Sequence, residues 1–126
     1  MTRVVLRVEF DDEHYIGPGR VRLLELIGEL GSISRAAKAM DMSYKRAWYL
    51  LEAFGACFGQ PLVVRQLGGK GGGSAQLTKL GLEVIARYRA MEQLSRAAME
   101  KEIRALSRHL APQATSQKPK ARSKPD

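Results

Sequence analysis

Val4, Leu6, Val8 and Phe10 alternate with Arg3, Val5, Arg7 and Glu9, so apolar side chains gather on one side of an extended chain. That period of two is the period of a half-buried strand and predicts a first strand over 2–10. The stretch 11–19, DDEHYIGPG, is polar and turn-rich, and Pro18 stands where a helix can begin without losing an internal hydrogen bond. Over 20–30 the period changes. Val21, Leu24, Ile27 and Leu30 recur every three residues beside Leu23 and Leu26, a broad helical face that Gly31 ends. Ser32 reads as the N-cap of a short second helix, with Ile33, Ala36, Ala37 and Met40 at i, i+3, i+4 and i+7. A face made of alanine is thin and lets the next helix cross close by. The brief Asp41-Met42 break then suits the steep crossing of a helix-turn-helix.

A third helix over 43–58 starts at Ser43, a second N-cap, and turns Ala47, Leu50, Leu51, Phe54 and Phe58 into one arc. Lys45, Tyr49 and Glu52 lie opposite, with Tyr44, Arg46 and Trp48 on the flanks, so the exposed N-terminal end is aromatic and basic. After Gly59 and Pro61, 62–67 reads as a strand carrying Arg65, and 75–77 as its shorter partner across the loop GGKGGGS. The stretch 78–110 lacks proline and repeats Gly81, Val84, Tyr88, Met91, Ser95, Ala98 and Glu102 at alternating spacings of three and four, a heptad-like stripe. A helix that long exceeds what so small a domain can cover. Val84, Tyr88, Met91, Ser95, Ala98 and Leu106 are therefore expected to join two copies of the chain. Beyond Pro112 no apolar cluster offsets the entropy of ordering, so the expected organisation is one domain over 1–110 and a disordered basic tail over 111–126.

With 126 residues there is room for a single modest core. The net charge of +8, from 21 basic and 13 acidic residues, implies a polyanionic partner, either nucleic acid or an anionic membrane surface. No apolar run of ~18 residues and no signal-peptide pattern occur, so the expected location is the cytoplasm with no membrane partner. Cys57 is a lone cysteine, read as a packing residue, and His14 and His109 are the only imidazoles, so neither a metal site nor a cofactor is expected. GGKGGGS departs from the phosphate-loop spacing and lies between hairpin strands. No nucleophile is paired with a base. An enzyme is therefore not expected.

GSISRAAKAMDMSYKRAW, followed by PLVVRQLGGKGGGSAQLTKLG, resembles the DNA-binding region of the ModE family of molybdate-responsive regulators and, more distantly, the LysR family. The Ser-Ile-Ser…Ala-Ala helix, the Ser-Tyr-Lys-x-Ala-Trp helix and the glycine-rich hairpin before Leu77-Thr78 and Gly81 occur in the family's order and spacing. The resemblance implies a mainly α fold with a small β-sheet: a winged helix-turn-helix with 43–58 as recognition helix, the hairpin as wing, and a long C-terminal helix that dimerises. It also implies a homodimeric transcriptional regulator of genes for molybdate transport or molybdoenzymes, with double-stranded DNA as partner. The family's molybdate-binding modules would begin about where this chain ends, so molybdate binding is not expected here.

Within such a regulator, Lys45 and Arg46 suit guanine O6/N7 or phosphate, Ser43 a phosphate, and Tyr44, Trp48 and Tyr49 a sugar or thymine methyl. The bland alternative is a solvated helix face with Trp48 packed inward. Ser34, Arg35 and Lys38 lie off the alanine face where phosphates would pass, or are ordinary surface residues. Arg65 and Lys70 suit phosphates or the minor groove, or belong to a hairpin tip that touches nothing. Two other functions stay open at this point: a low-specificity nucleoid protein coating nucleic acid, and a module pairing with a sensor-bearing regulator.

Overall fold

A computed structural model describes residues 2–66 and 74–112. In chain order the elements are β1 (Val8–Glu9), β2 (Tyr15–Ile16), α1 (Pro18–Leu30), α2 (Ile33–Ala39), α3 (Tyr44–Phe58), β3 (Val63–Gln66), β4 (Ser74–Leu77) and α4 (Lys79–Ser107). β1 pairs antiparallel with β2, and β3 with β4 in the register Val63↔Leu77 to Gln66↔Ser74. α1 packs against α2, α3, α4 and β4, and so forms the centre of the domain.

The side-chain pattern explains these elements. Val21, Leu23, Leu24 and Ile27 of α1 meet Ile33, Ala36 and Ala37 of α2 and Ala47, Leu51 and Phe54 of α3 in one buried cluster. Gly31 ends α1 in the left-handed region at φ 68°, donating its N–H to the Ile27 carbonyl at 2.8 Å. Leu50 and Phe58, expected in the buried arc of α3, lie half-buried at its edge. Phe58 stands edge-on to Phe10, their ring centroids 6.3 Å apart.

At the base of the wing, Thr78 caps α4. Its Oγ1 accepts the Gly81 N–H and donates to the Pro61 carbonyl, both at 3.0 Å. Here α4 approaches the chain so closely that a Cβ at Gly81 would overlap the Leu62 carbonyl. Only glycine fits there.

Two expectations are corrected. The strand over 2–10 shrinks to Val8–Glu9, because its partner β2 has only two residues before Pro18 begins a helix. Residues 2–6 instead follow α4: the Tyr88 hydroxyl donates to the Leu6 carbonyl at 2.7 Å and Arg96 Nη1 to the Thr2 carbonyl at 3.0 Å. The second correction concerns the stripe on the long helix. Gly81, Val84 and Tyr88 belong to the chain's own core, Tyr88 being wholly buried, and Met91 packs half-buried against it. Val84 and Tyr88 are thus covered by this chain's own residues. Burial raises the Tyr88 phenol above its ordinary pKa and keeps it a neutral donor. Of the residues expected to dimerise, Ser95 is half-buried, its hydroxyl donating to the Glu92 carbonyl, and Ala98 and Leu106 are exposed.

Candidate nucleic-acid interface

The turn between α2 and α3 fixes how the basic end of α3 is presented. Asp41 adopts the left-handed conformation at φ 59° and donates its N–H to the Lys38 carbonyl, while the Met42 N–H reaches back to Ala37, both at 3.0 Å. Those two bonds make a complete Schellman closure, with aspartate at a position that usually takes glycine. The chain then enters α3 at once. Ser43 Oγ accepts the Arg46 N–H at 3.0 Å, so its oxygen is committed to the cap and its hydroxyl proton remains to donate.

From this cap the first turns of α3 project outward. Tyr44, Lys45, Arg46, Trp48 and Tyr49 are all exposed, and neither Lys45 nor Arg46 has a side-chain partner among the described residues. That contrasts with the basic residues of α1 and α4. Arg22 and Arg89 share Glu25, Arg89 also holds Glu92, and Arg87 and Arg104 pair with Glu83 and Glu100. Between Ser32 and Tyr49 the bases Arg35, Lys38, Lys45 and Arg46 face Asp41 as the one acidic residue. The excess positive charge is thus left uncompensated on α2 and the start of α3, the condition for attracting a polyanion.

On α2, Ser34, Arg35 and Lys38 are exposed as expected. Arg35 folds partly back, Nη1 lying 3.5 Å from the Leu30 carbonyl at the end of α1, a favourable place for a cation. Ser34 borders a shallow cleft of about 170 Å³ that also receives Tyr44 from α3 and Arg65 from β3. Arg65 Nη1 donates to Tyr44 Oη at 2.8 Å, and its Cζ lies 4.7 Å from the Trp48 ring centroid. The structure thus brings Ser34, Tyr44, Trp48 and Arg65 together and leaves Arg35, Lys38, Lys45, Arg46 and Tyr49 as separate exposed groups. Lys70 lies outside the described residues. Gln66 and Ser74, paired in the wing register, complete the cleft and were not singled out from the sequence. Their signal was faint: each is a single polar residue beside a glycine-rich loop.

Among the described residues no group of three His, Cys, Asp or Glu side chains could hold a metal ion, and no helix is long and apolar enough to cross a membrane.

Comparison with known proteins agrees with this geometry. The profile of the bacterial regulatory helix-turn-helix proteins of the lysR family matches residues 19–82. The molybdenum transport protein ModE of Azotobacter vinelandii is 40% identical over 102 residues, covering 79% of this chain and 38% of that protein. The transcriptional regulator ModE of Haemophilus influenzae is 40% identical over 91 residues, covering 72% of this chain and 36% of that protein. The molybdenum-pterin-binding protein MopB of Rhodobacter capsulatus is 46% identical over 77 residues, covering 61% of this chain and 28% of that protein. The chain thus spans little more than a third, at most, of these relatives' length. Among solved structures, the CbnR_DBD-DNA complex superposes with a TM-score of 0.55 at 20% identity, over 70% of this chain and 95% of that one, a likeness of fold.

Proposed function

Because the chain belongs to the lysR family of bacterial regulatory helix-turn-helix proteins, we propose that it is a ModE-like transcriptional regulator that binds double-stranded DNA sequence-specifically as a homodimer. The observation that carries this reading is the start of α3, where Lys45 and Arg46 project, with no side-chain partner among the described residues, from a capped helix held by the Asp41 turn. The start of α3 enters the major groove, and Lys45 and Arg46 reach guanine O6/N7 or phosphate. Ser34, Arg35 and Lys38 on α2 and the wing meet the flanking backbone. The similarity to ModE proteins supports target genes that serve molybdate transport or molybdoenzymes.

The dimer seam lies further along α4 than Val84 and Tyr88. Met99, Ile103 and Leu106 follow one another at spacings of four and three on a helix that has already left the core, and Leu110 follows just past its end. Met99 is 37% exposed and Leu106 69%, so both present apolar surface among the described residues. A second copy laid on this face buries both and places two recognition helices on one duplex. Half-sites about 34–36 Å apart, or a multiple of that, follow.

Selection of bound duplexes from a random library tests the reading. A regulator enriches a palindromic motif with such spacing. Uniform protection of any sequence would instead identify a nucleic-acid-coating protein.

A further inference from the structure

On sequence alone Arg65 suits either DNA contact from the wing or a hairpin tip that touches nothing, yet its guanidinium is engaged within the chain. We propose that Arg65 is a positioning residue: it latches the wing strand β3 to α3 and fixes the direction in which the Tyr44 hydroxyl donates, so that base preference depends on the wing. The proposal rests on the DNA-binding reading above and adds a specificity determinant to it.

The register makes the reach possible. Arg65 stands opposite Ala75, a buried residue too small to obstruct a long side chain crossing that face of the hairpin toward α3. Tyr44 and Trp48 are four residues apart on α3 and so lie one above the other. The guanidinium spans both, 2.8 Å from the Tyr44 oxygen and 4.7 Å from the indole centroid. Arginine has no acceptor, so Tyr44 Oη must be the acceptor and its own proton points away from Arg65. A hydroxyl that accepts from a cation is polarised into a stronger donor. The held tyrosine therefore selects an acceptor, a phosphate oxygen or guanine O6/N7, and the remaining guanidinium donors favour the same class of group. Among the described residues nothing restrains Lys45 and Arg46 comparably. Tyr44 is the side chain of the recognition end whose direction is set before DNA arrives, which lowers the entropy lost on binding.

Trp48 is the chain's single tryptophan, so its fluorescence reports the latch without DNA. The test compares wild type, Tyr44→Phe, Arg65→Met, their double variant and Arg65→Lys, on the duplex enriched by selection and on a scrambled duplex. The expected result is that each of Tyr44→Phe and Arg65→Met lowers affinity for the selected duplex more than for the scrambled one. The double variant should lie within about fivefold of the worse single variant. Tyr44→Phe should shift Trp48 emission in the wild-type background and leave it unchanged in the Arg65→Met background. Arg65→Lys keeps the charge but lacks the planar fork, so its affinity for the selected duplex should fall more than its affinity for the scrambled one. Losses that multiply independently, an equal emission shift in both backgrounds, or full preference in Arg65→Lys would each overturn the latch. A wild type that does not distinguish the two duplexes would refute sequence-specific binding instead, a failure that the fluorescence cycle separates from failure of the latch.

Discussion

Two substitutions on α4, separated by five turns, should have opposite consequences. Tyr88 is wholly buried beside Val84 and hydrogen-bonded to the Leu6 carbonyl, whereas Leu106 is 69% exposed. Truncating a buried aromatic to alanine costs about 3–5 kcal/mol through lost contacts and the cavity left behind. The unpaired Leu6 carbonyl can still reach water at the edge of the domain, so little is added for it. Against a total of roughly 5–15 kcal/mol for a domain, Tyr88→Ala should lower the thermal midpoint by about 12 °C or more. Leu106→Glu changes a side chain that is mostly exposed and should cost a monomer less than about 0.5 kcal/mol. Its effect should fall on association. The wild-type midpoint should rise with protein concentration, as it does for any fold stabilised by self-association, and that of Leu106→Glu should not. Thermal unfolding at several concentrations, paired with sedimentation, reads both quantities. A Tyr88→Ala protein as stable as wild type but monomeric would show that Tyr88 serves the seam and not the core. The assignment of α4 into a core half and a partner half would then be wrong.

Asp41 holds the left-handed turn between α2 and α3, so Asp41→Val should destabilise the domain by about 1–2 kcal/mol and weaken DNA binding, while Asp41→Gly is tolerated; urea denaturation and a DNA titration check both. Glu25 is held below its usual 4.5, chiefly by the hydrogen bond from Arg89 and also by Arg22, against the opposing effect of burial. A depressed carboxylate pKa contributes stability that is fully present above the unfolded value and is lost as pH falls through the folded one. Unfolding free energy should therefore decline below about pH 4.5, and Glu25→Gln, costing about 1 kcal/mol at neutral pH, should flatten part of that decline. Residues 113–126 carry Lys118, Lys120, Arg122 and Lys124 against Asp126. Deleting them should lower non-specific affinity and reduce the salt slope by up to about 4, with the selected motif unchanged; a changed motif would contradict that assignment.

Much of the fold was legible because its signals are local. Ser32 and Ser43 each precede an apolar period and each caps the helix that follows, and Gly31 ends α1 where its lack of a Cβ is needed. What periodicity does not carry is the identity of whatever covers a face. The stripe through Gly81, Val84 and Tyr88 has the same spacing whether a partner helix or the domain's own α1 lies against it, and here the domain covers it. The alternation over 2–10 likewise describes one strand and not its partner, which Pro18 cuts to two residues, so only Val8–Glu9 pairs. Arg20 carries no signal of burial in the sequence. It is buried, its guanidinium 3.8 Å from the Tyr15 ring centroid and bonded to the Tyr15 carbonyl, a contact that the polar loop before α1 did not announce. At the candidate interface the exposed basic residues were legible as a charge pattern, whereas the bond between Arg65 and Tyr44, across 21 positions, needed the wing to be folded onto α3.

The central claim is that the start of α3 reads bases, and repeating the duplex selection with Lys45→Ala and Arg46→Ala tests it most directly. At least one variant should lose preference at a single position of each half-site by about 1–3 kcal/mol while still binding other duplexes. If both select the wild-type motif with wild-type affinity, α3 is not the recognition helix.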